Sequence, residues 1–164
     1  MSVKVKDRHV SHNACLEDAR RLVEQILVLT RPREFDKDGK QITKPGLLGE
    51  GQPLQAFGID ILRCGKSIHA LCYEASRIYL KDEDTLERRK KFYKQAVEHC
   101  SSILRQLDLC IFIYAKNSKH KRRSFEYISR LTYALKNSIQ DRINRDKLIY
   151  EHNYSTGPHL RRGR

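Results

Sequence analysis

Residues 86–114, LERRKKFYKQAVEHCSSILRQLDLCIFIY, decide how this chain folds. Leu86, Tyr93, Ala96, Val97, Cys100, Ile103, Leu104, Leu107, Ile111 and Tyr114 recur at three- and four-residue steps. That is the period of one apolar stripe on a long α-helix, and no proline interrupts it. The run Lys81-Asp82-Glu83-Asp84 ahead of it reads as a turn. Asp84 followed by Glu87 fits a capping box, and acids there favour the positive end of the helix dipole. Behind it, Asn117-Ser118 breaks the pattern.

Working outward, the same period appears on both sides. Leu54, Phe57, Ile61, Cys64, Ile68, Leu71, Cys72, Ala75, Ile78 and Tyr79 give the preceding helix one apolar face, with Pro53 suited to its first turn. Gly58 and Gly65 weaken it, unless a neighbouring backbone needs the room. Phe125, Ile128, Leu131, Thr132, Leu135, Ile139 and Ile143 mark the following helix. Nearer the start, Leu16, Ala19, Val23, Ile26 and Leu27 form another stripe that Pro32 stops, while Met1 to His12 reads as a loose leader. Residues 33–52 are rich in glycine, and Asp38-Gly39 suits a small hairpin between Phe35 and Ile42. Short connections make sequential helices antiparallel neighbours, so the expected fold is an all-α, up-down four-helix bundle. It spans 1–150 as one domain, with 33–52 as a non-helical insert and 151–164 as a disordered basic tail.

Lys and Arg number 33 against 20 Asp and Glu, a formal charge of +13 that recurs along the helical segments. A folded basic surface attracts a polyanion by neutralising phosphates and releasing counterions, so RNA or DNA is the first partner to expect. The expected nucleic-acid-binding residues are Arg88, Arg89, Lys90, Lys91 and Lys94, then Lys116, Lys119, Lys121, Arg122 and Arg123, with Arg130. Arg142, Arg145 and Lys147 add further charge. In an up-down bundle the first two clusters lie at opposite ends of the third helix. Tyr93, Tyr114, Phe125, Tyr127 and Tyr133 lie among the cations and could stack on unpaired bases, although at helical spacing most are assigned to packing. The ordinary alternative is a solvated basic face, or a bundle whose charge serves an acidic protein.

No apolar run approaches the ~20 residues needed to span a bilayer, so no membrane partner is expected. The five cysteines contain no Cys-x-x-Cys pair and sit at apolar helical positions, which reads as reduced thiols and a cytoplasmic address. Asp36-Lys37-Asp38-Gly39 lacks the rest of a calcium loop: Pro45 stands where its bidentate Glu belongs. His9 and His12 have no companions at ligand spacing, and Asp82, Glu83 and Asp84 suit caps better than a Mg²⁺ site. No metal or cofactor is expected. A Gly-rich phosphate loop, a nucleophile elbow and a Ser/His/Asp arrangement are all missing, so the reading is non-enzymatic. The runner-up is Arg63 with His69, which resembles the Arg-x(4–6)-His signature of HEPN ribonucleases and would act on an RNA backbone. Six residues on an ideal helix separate the two by about 120°.

A long helix beginning near Pro53, an Ala/Cys-rich helix from Leu86 to Tyr114, and a short basic turn into a Tyr/Ile/Leu-spaced helix together resemble the Avd family. These are accessory variability determinant proteins of diversity-generating retroelements, related to the bundle proteins of ribosomal RNA intervening sequences. The resemblance covers about residues 54–145 and is one of length, order and patterning. It implies a basic bundle that assembles as a ring, typically a homopentamer. Such a ring would bind a reverse transcriptase and its template RNA without catalysing cDNA synthesis, with Arg88, Arg89, Lys90, Lys91 and Lys94 on the helix that presents basic residues. The chain departs from the family in having no Trp, hence no Gly-Trp ending, and in carrying the 33–52 insert. Both departures bear on oligomer geometry more than on fold.

Overall fold

The computed structural model describes residues 5–31, 33–43 and 45–155, with the side chains of 5–13, 33–35, 41–43, 154 and 155 outside that description. Among the described residues, α1 runs Val5–Thr30, a hairpin pairs β1 (Arg33–Phe35) with β2 (Gln41–Thr43), and α2 (Gln55–Arg77), α3 (Glu83–Tyr114) and α4 (Lys119–Tyr150) follow. Contacts join α1 to α2, α2 to α3, α3 to α4 and α4 back to α1, which is the closed order of an up-down four-helix bundle.

The buried positions explain why the helices pack lengthwise. On α3 they are Arg89, Tyr93, Ala96, Cys100, Ile103, Leu107 and Cys110; on α4, Phe125, Ile128, Thr132, Leu135, Ile139, Arg142 and Asp146. Both sets step by alternating threes and fours, the 3.5-residue period of a coiled-coil seam. The α2 seam, Gly58, Ile61, Gly65, Ile68, Cys72 and Ala75, obeys the same rule. So does α1, through Cys15, Ala19, Leu22, Ile26 and Leu29. Leu22 and Leu29 therefore join the expected core, and Leu27 leaves it for solvent.

Several boundaries differ from the sequence reading. In place of a loose leader over Met1 to His12, the backbone is helical from Val5; an apolar stripe marks where a helix is buried, not where it begins. Pro53 sits in the turn before α2, whose cap is Leu54. Tyr79 lies beyond the end of α2 and is exposed. The capping box of α3 is built by Asp82 and Thr85, not Asp84 and Glu87: Thr85 N donates to Asp82 Oδ1 at 2.9 Å and the Thr85 hydroxyl accepts from Asp82 N at 3.1 Å. The bond from the Thr85 backbone N–H holds the Asp82 carboxyl below its ordinary pKa. Past Tyr150 the chain keeps turning as a π-helical segment, Glu151–Ser155, and the rest of the expected tail lies outside the described residues.

The insert is tied to the bundle. Asp36 Oδ1 accepts from the backbone N–H of Asp38 (3.0 Å) and Lys40 (2.7 Å), and Gly39 takes a positive φ of 76°, so this stretch closes the hairpin as an Asx-capped turn. Leu48 is buried, and its N–H donates to Leu29 O at 2.9 Å. Gly58 is where α2 receives it: a Cβ there would stand 2.2 Å from Leu48 O. Glycine to alanine inside a helix ordinarily stabilises by about 1 kcal/mol. Here Gly58→Ala is expected to lower Tm instead, read by circular dichroism. A raised Tm would mean that the insert does not rest on α2.

Candidate nucleic-acid interface

The expected basic residues divide by the seam. Arg88 and Lys91 face solvent, as does Lys94, while Lys90 is half-exposed and pairs with Glu87 at 3.2 Å. Together they border a shallow depression on the outer face of α3 alone, open to solvent and unlike a small-molecule cavity. Arg89 is the exception and corrects the sequence reading. It occupies a seam position and is 2% exposed. Its Nε donates to Asp146 Oδ2 at 2.9 Å and its Nη2 to Asp146 Oδ1 at 3.0 Å, while Nη1 caps Ile78 O at 3.0 Å. Arg142, expected to add to the surface charge, is buried beside them, with Nε 3.2 Å from Asp146 Oδ1. Burial raises the Asp146 carboxyl pKa, and the charges of Arg89 and Arg142 oppose that rise. Neither arginine can reach a phosphate.

At the other end of α3, Lys116, Lys119, Arg122 and Arg123 are exposed, and Arg122 pairs with Glu126 at 2.9 Å. Lys121 is half-buried with its ammonium 4.0 Å from the centre of the Tyr114 ring, a cation–π contact that fastens the turn. The first turn of α4 carries no acid. Clustered cations there oppose the helix dipole, so their place is not explained by helix stability. Arg88, Lys91, Lys94, Lys119, Arg123 and Arg130 form no ion pair with the described residues. Along α3 the two clusters stand ~40 Å apart at 1.5 Å per residue.

The aromatics divide as well. Tyr93 and Phe125 are core, Tyr114 is half-buried, and Tyr127 and Tyr133 are exposed. What the sequence reading missed is an apolar patch on the outer face of α3, where Leu109, Phe112 and Ile113 are exposed, Phe112 by 69%. These lie at i, i+3 and i+4, one face of the helix. Lys116 holds its ammonium 5.7 Å from the Phe112 ring centre.

The Arg63/His69 pair is not brought together within one chain. The α2 helix runs unbroken through Gly65; Arg63 is 73% exposed and pairs with Asp60 at 3.3 Å. His69 is half-buried, with Nε2 buried and without a hydrogen-bond partner among the described residues. His9 and His12 fall outside the described side chains. Among the described residues no group of three or more His, Cys, Asp or Glu is placed to hold a metal ion, and no helix is long and apolar enough to cross a membrane. The Cys72, Cys100 and Cys110 thiols are pushed up by burial, the latter two to about 12 and about 11, which keeps them protonated and poorly nucleophilic.

The sequence matches no protein-family description and no curated protein, and the fold matches no solved structure.

Removing one member of a buried charge cluster leaves the others desolvated and unpaired. Asp146→Ala is expected to cost about 3–5 kcal/mol in urea denaturation, whereas replacing Arg89, Arg142 and Asp146 together by apolar residues of similar size restores most of that loss. A cost for Asp146→Ala below about 1 kcal/mol would mean that the cluster behaves as a solvated surface pair.

Proposed function

We propose that this chain is a non-enzymatic nucleic-acid-binding bundle of the cytoplasm that serves as an accessory to a reverse transcriptase. The observation that carries the nucleic-acid part is the set of exposed cations that form no close ion pair with the described residues, at both ends of α3: Arg88, Lys91 and Lys94 at one, Lys119 and Arg123 at the other. A partly charged helix normally interleaves acids with its bases, and the surplus here matches a polyphosphate backbone. Two clusters held ~40 Å apart by a rigid helix suit a partner that is long and negatively charged along its whole length. The reverse transcriptase enters through the resemblance of residues 54–145 to the Avd family in helix order and patterning.

Association into a ring rests on the apolar surface left over once the core is filled. Leu109, Phe112 and Ile113 supply it, and cyclic closure is the usual way to bury such a patch without leaving it open at an end. Each added copy brings a further charge of +13 to the assembly.

Two measurements test this. Arg88→Ala, Lys91→Ala and Lys94→Ala combined are expected to reduce the salt slope of RNA binding by about 0.7–0.9 for each phosphate no longer neutralised, with the helical spectrum unchanged and the RNA left whole. An unchanged slope, or RNA shortened by the wild type but not by an Arg63→Ala, His69→Ala variant, overturns the reading. In light scattering, Phe112→Asp with Ile113→Asp is expected to convert an oligomer into monomers. An unchanged mass places the subunit interface elsewhere.

A further inference from the structure

On α4 the residues Arg122, Glu126, Arg130, Tyr133 and Asn137 follow one another at three- and four-residue steps, and all are exposed. They form a single outward stripe that runs ~22 Å along the helix. Where this stripe meets α3, Leu104, Ser129, Arg130, Tyr133, Ala134 and Asn137 enclose a shallow depression over the seam between the two helices. Leu104 and Ala134 supply its apolar lining beside Tyr133.

Tyr133 differs from four other aromatics of this chain. The rings of Tyr73, Tyr93, Phe112 and Tyr114 each have a cation of this chain 4.0–6.0 Å from their centres. Tyr133 is 58% exposed and, among the described residues, has no such cation and no hydrogen-bond partner. Arg130, at the same depression, has no acidic partner among them either. Glu126, the one acid of the stripe, is already neutralised by Arg122 at 2.9 Å. An open ring, an unpaired guanidinium, a hydroxyl and an amide thus share one patch. That is the chemistry of a site that stacks a base, neutralises its phosphate and hydrogen-bonds its edge.

We propose that the α3–α4 seam is a stacking platform for an unpaired base, so that the polynucleotide held on this face is single-stranded. The inference rests on the nucleic-acid reading above and narrows its substrate class. A base inside a duplex has both faces covered by its neighbours and cannot lie on Tyr133, whereas the α3 cations read only phosphate and accept either form. Charge favours this occupant over an apolar protein segment, because the patch carries an arginine unpaired among the described residues, on a chain of net charge +13.

The test is fluorescence anisotropy with a labelled mixed-sequence oligonucleotide, free and annealed into a blunt duplex, against wild type, Tyr133→Ala and Tyr133→Phe. Tyr133→Ala is expected to weaken single-strand binding about 5- to 150-fold, the range for removal of one base–aromatic stack. Tyr133→Phe retains the ring and binds as the wild type does. Duplex affinity and the salt slope stay unchanged, because the ring neutralises no phosphate. Undiminished single-strand binding by Tyr133→Ala overturns the inference while leaving the nucleic-acid reading intact, and an equal loss on strand and duplex does the same. Failure of the wild type to bind either probe overturns both.

Discussion

Two guanidiniums and one carboxylate, buried where the early turns of α3 meet the late turns of α4, set the geometry on which the rest of this bundle depends. Arg89 grips Asp146 with two bonds, Arg142 approaches the same carboxylate, and the third arm of Arg89 reaches back to the carbonyl of Ile78 just past the end of α2. Such a cluster is tolerated in a low-dielectric interior only when every charge has its partner in good geometry. Apolar seams alone allow helices to slide, since one leucine packs much like another a heptad away. A guanidinium fork does not. A shift of α4 by one turn, 5.4 Å, would carry Asp146 and Arg142 together away from Arg89 and leave its guanidinium desolvated and unmatched, so the cluster selects a single register.

That register can be followed along the helices. Moving 25 residues up α3, from Arg89 to Tyr114, corresponds to moving 25 residues down α4, from Asp146 to Lys121, where the lysine ammonium meets the Tyr114 ring. Two polar contacts at opposite ends of the pair therefore agree on one antiparallel alignment, and apart from Arg142 the seam between them is apolar or small. It is this alignment that sets Arg130 and Tyr133 of α4 opposite Leu104 of α3 and so composes the patch on the outer face. The interior charge and the exterior charge are linked in this sense: the first decides which of the others are presented together.

Much of the fold was legible in residues 54–145, because apolar spacing survives without tertiary information. The limits of that reading are equally physical. Arg89 stands among Arg88, Lys90 and Lys91, and composition counts it with them, yet it lies four residues before Tyr93 and seven before Ala96, on the buried stripe. Arg142 and Asp146 continue the stripe of Ile128, Leu135 and Ile139 in the same way. Charged residues of opposite sign at seam phase on two neighbouring helices were the available signal for a buried pair. The capping box slipped by two residues for a different reason: Asp82, Glu83 and Asp84 are chemically alike, and only backbone geometry chooses among them. Gly58 was legible as a weak point, but the carbonyl it accommodates comes from the insert, whose docking no local pattern announces.

The candidate interface was legible as charge and not as shape. Periodicity separates inside from outside, so it places Arg88, Lys91, Lys94 and Arg123 on the surface without help. It cannot say that Phe112 and Ile113 are surplus to the core, because apolar character alone does not tell which residues find a neighbour, and both are exposed. Nor can it distinguish Tyr133 from Tyr93, both aromatic and both at helical spacing. The difference is angular: Tyr93 lies on the heptad seam beside Arg89, whereas Tyr133 follows the seam residue Thr132 by one position, which turns it about 100° away from the core axis. A bundle whose core obeys a strict heptad thus makes its outer face readable by subtraction. Tyr133, one position off the seam, 58% exposed and without a cation of its own among the described residues, is surface offered to something else.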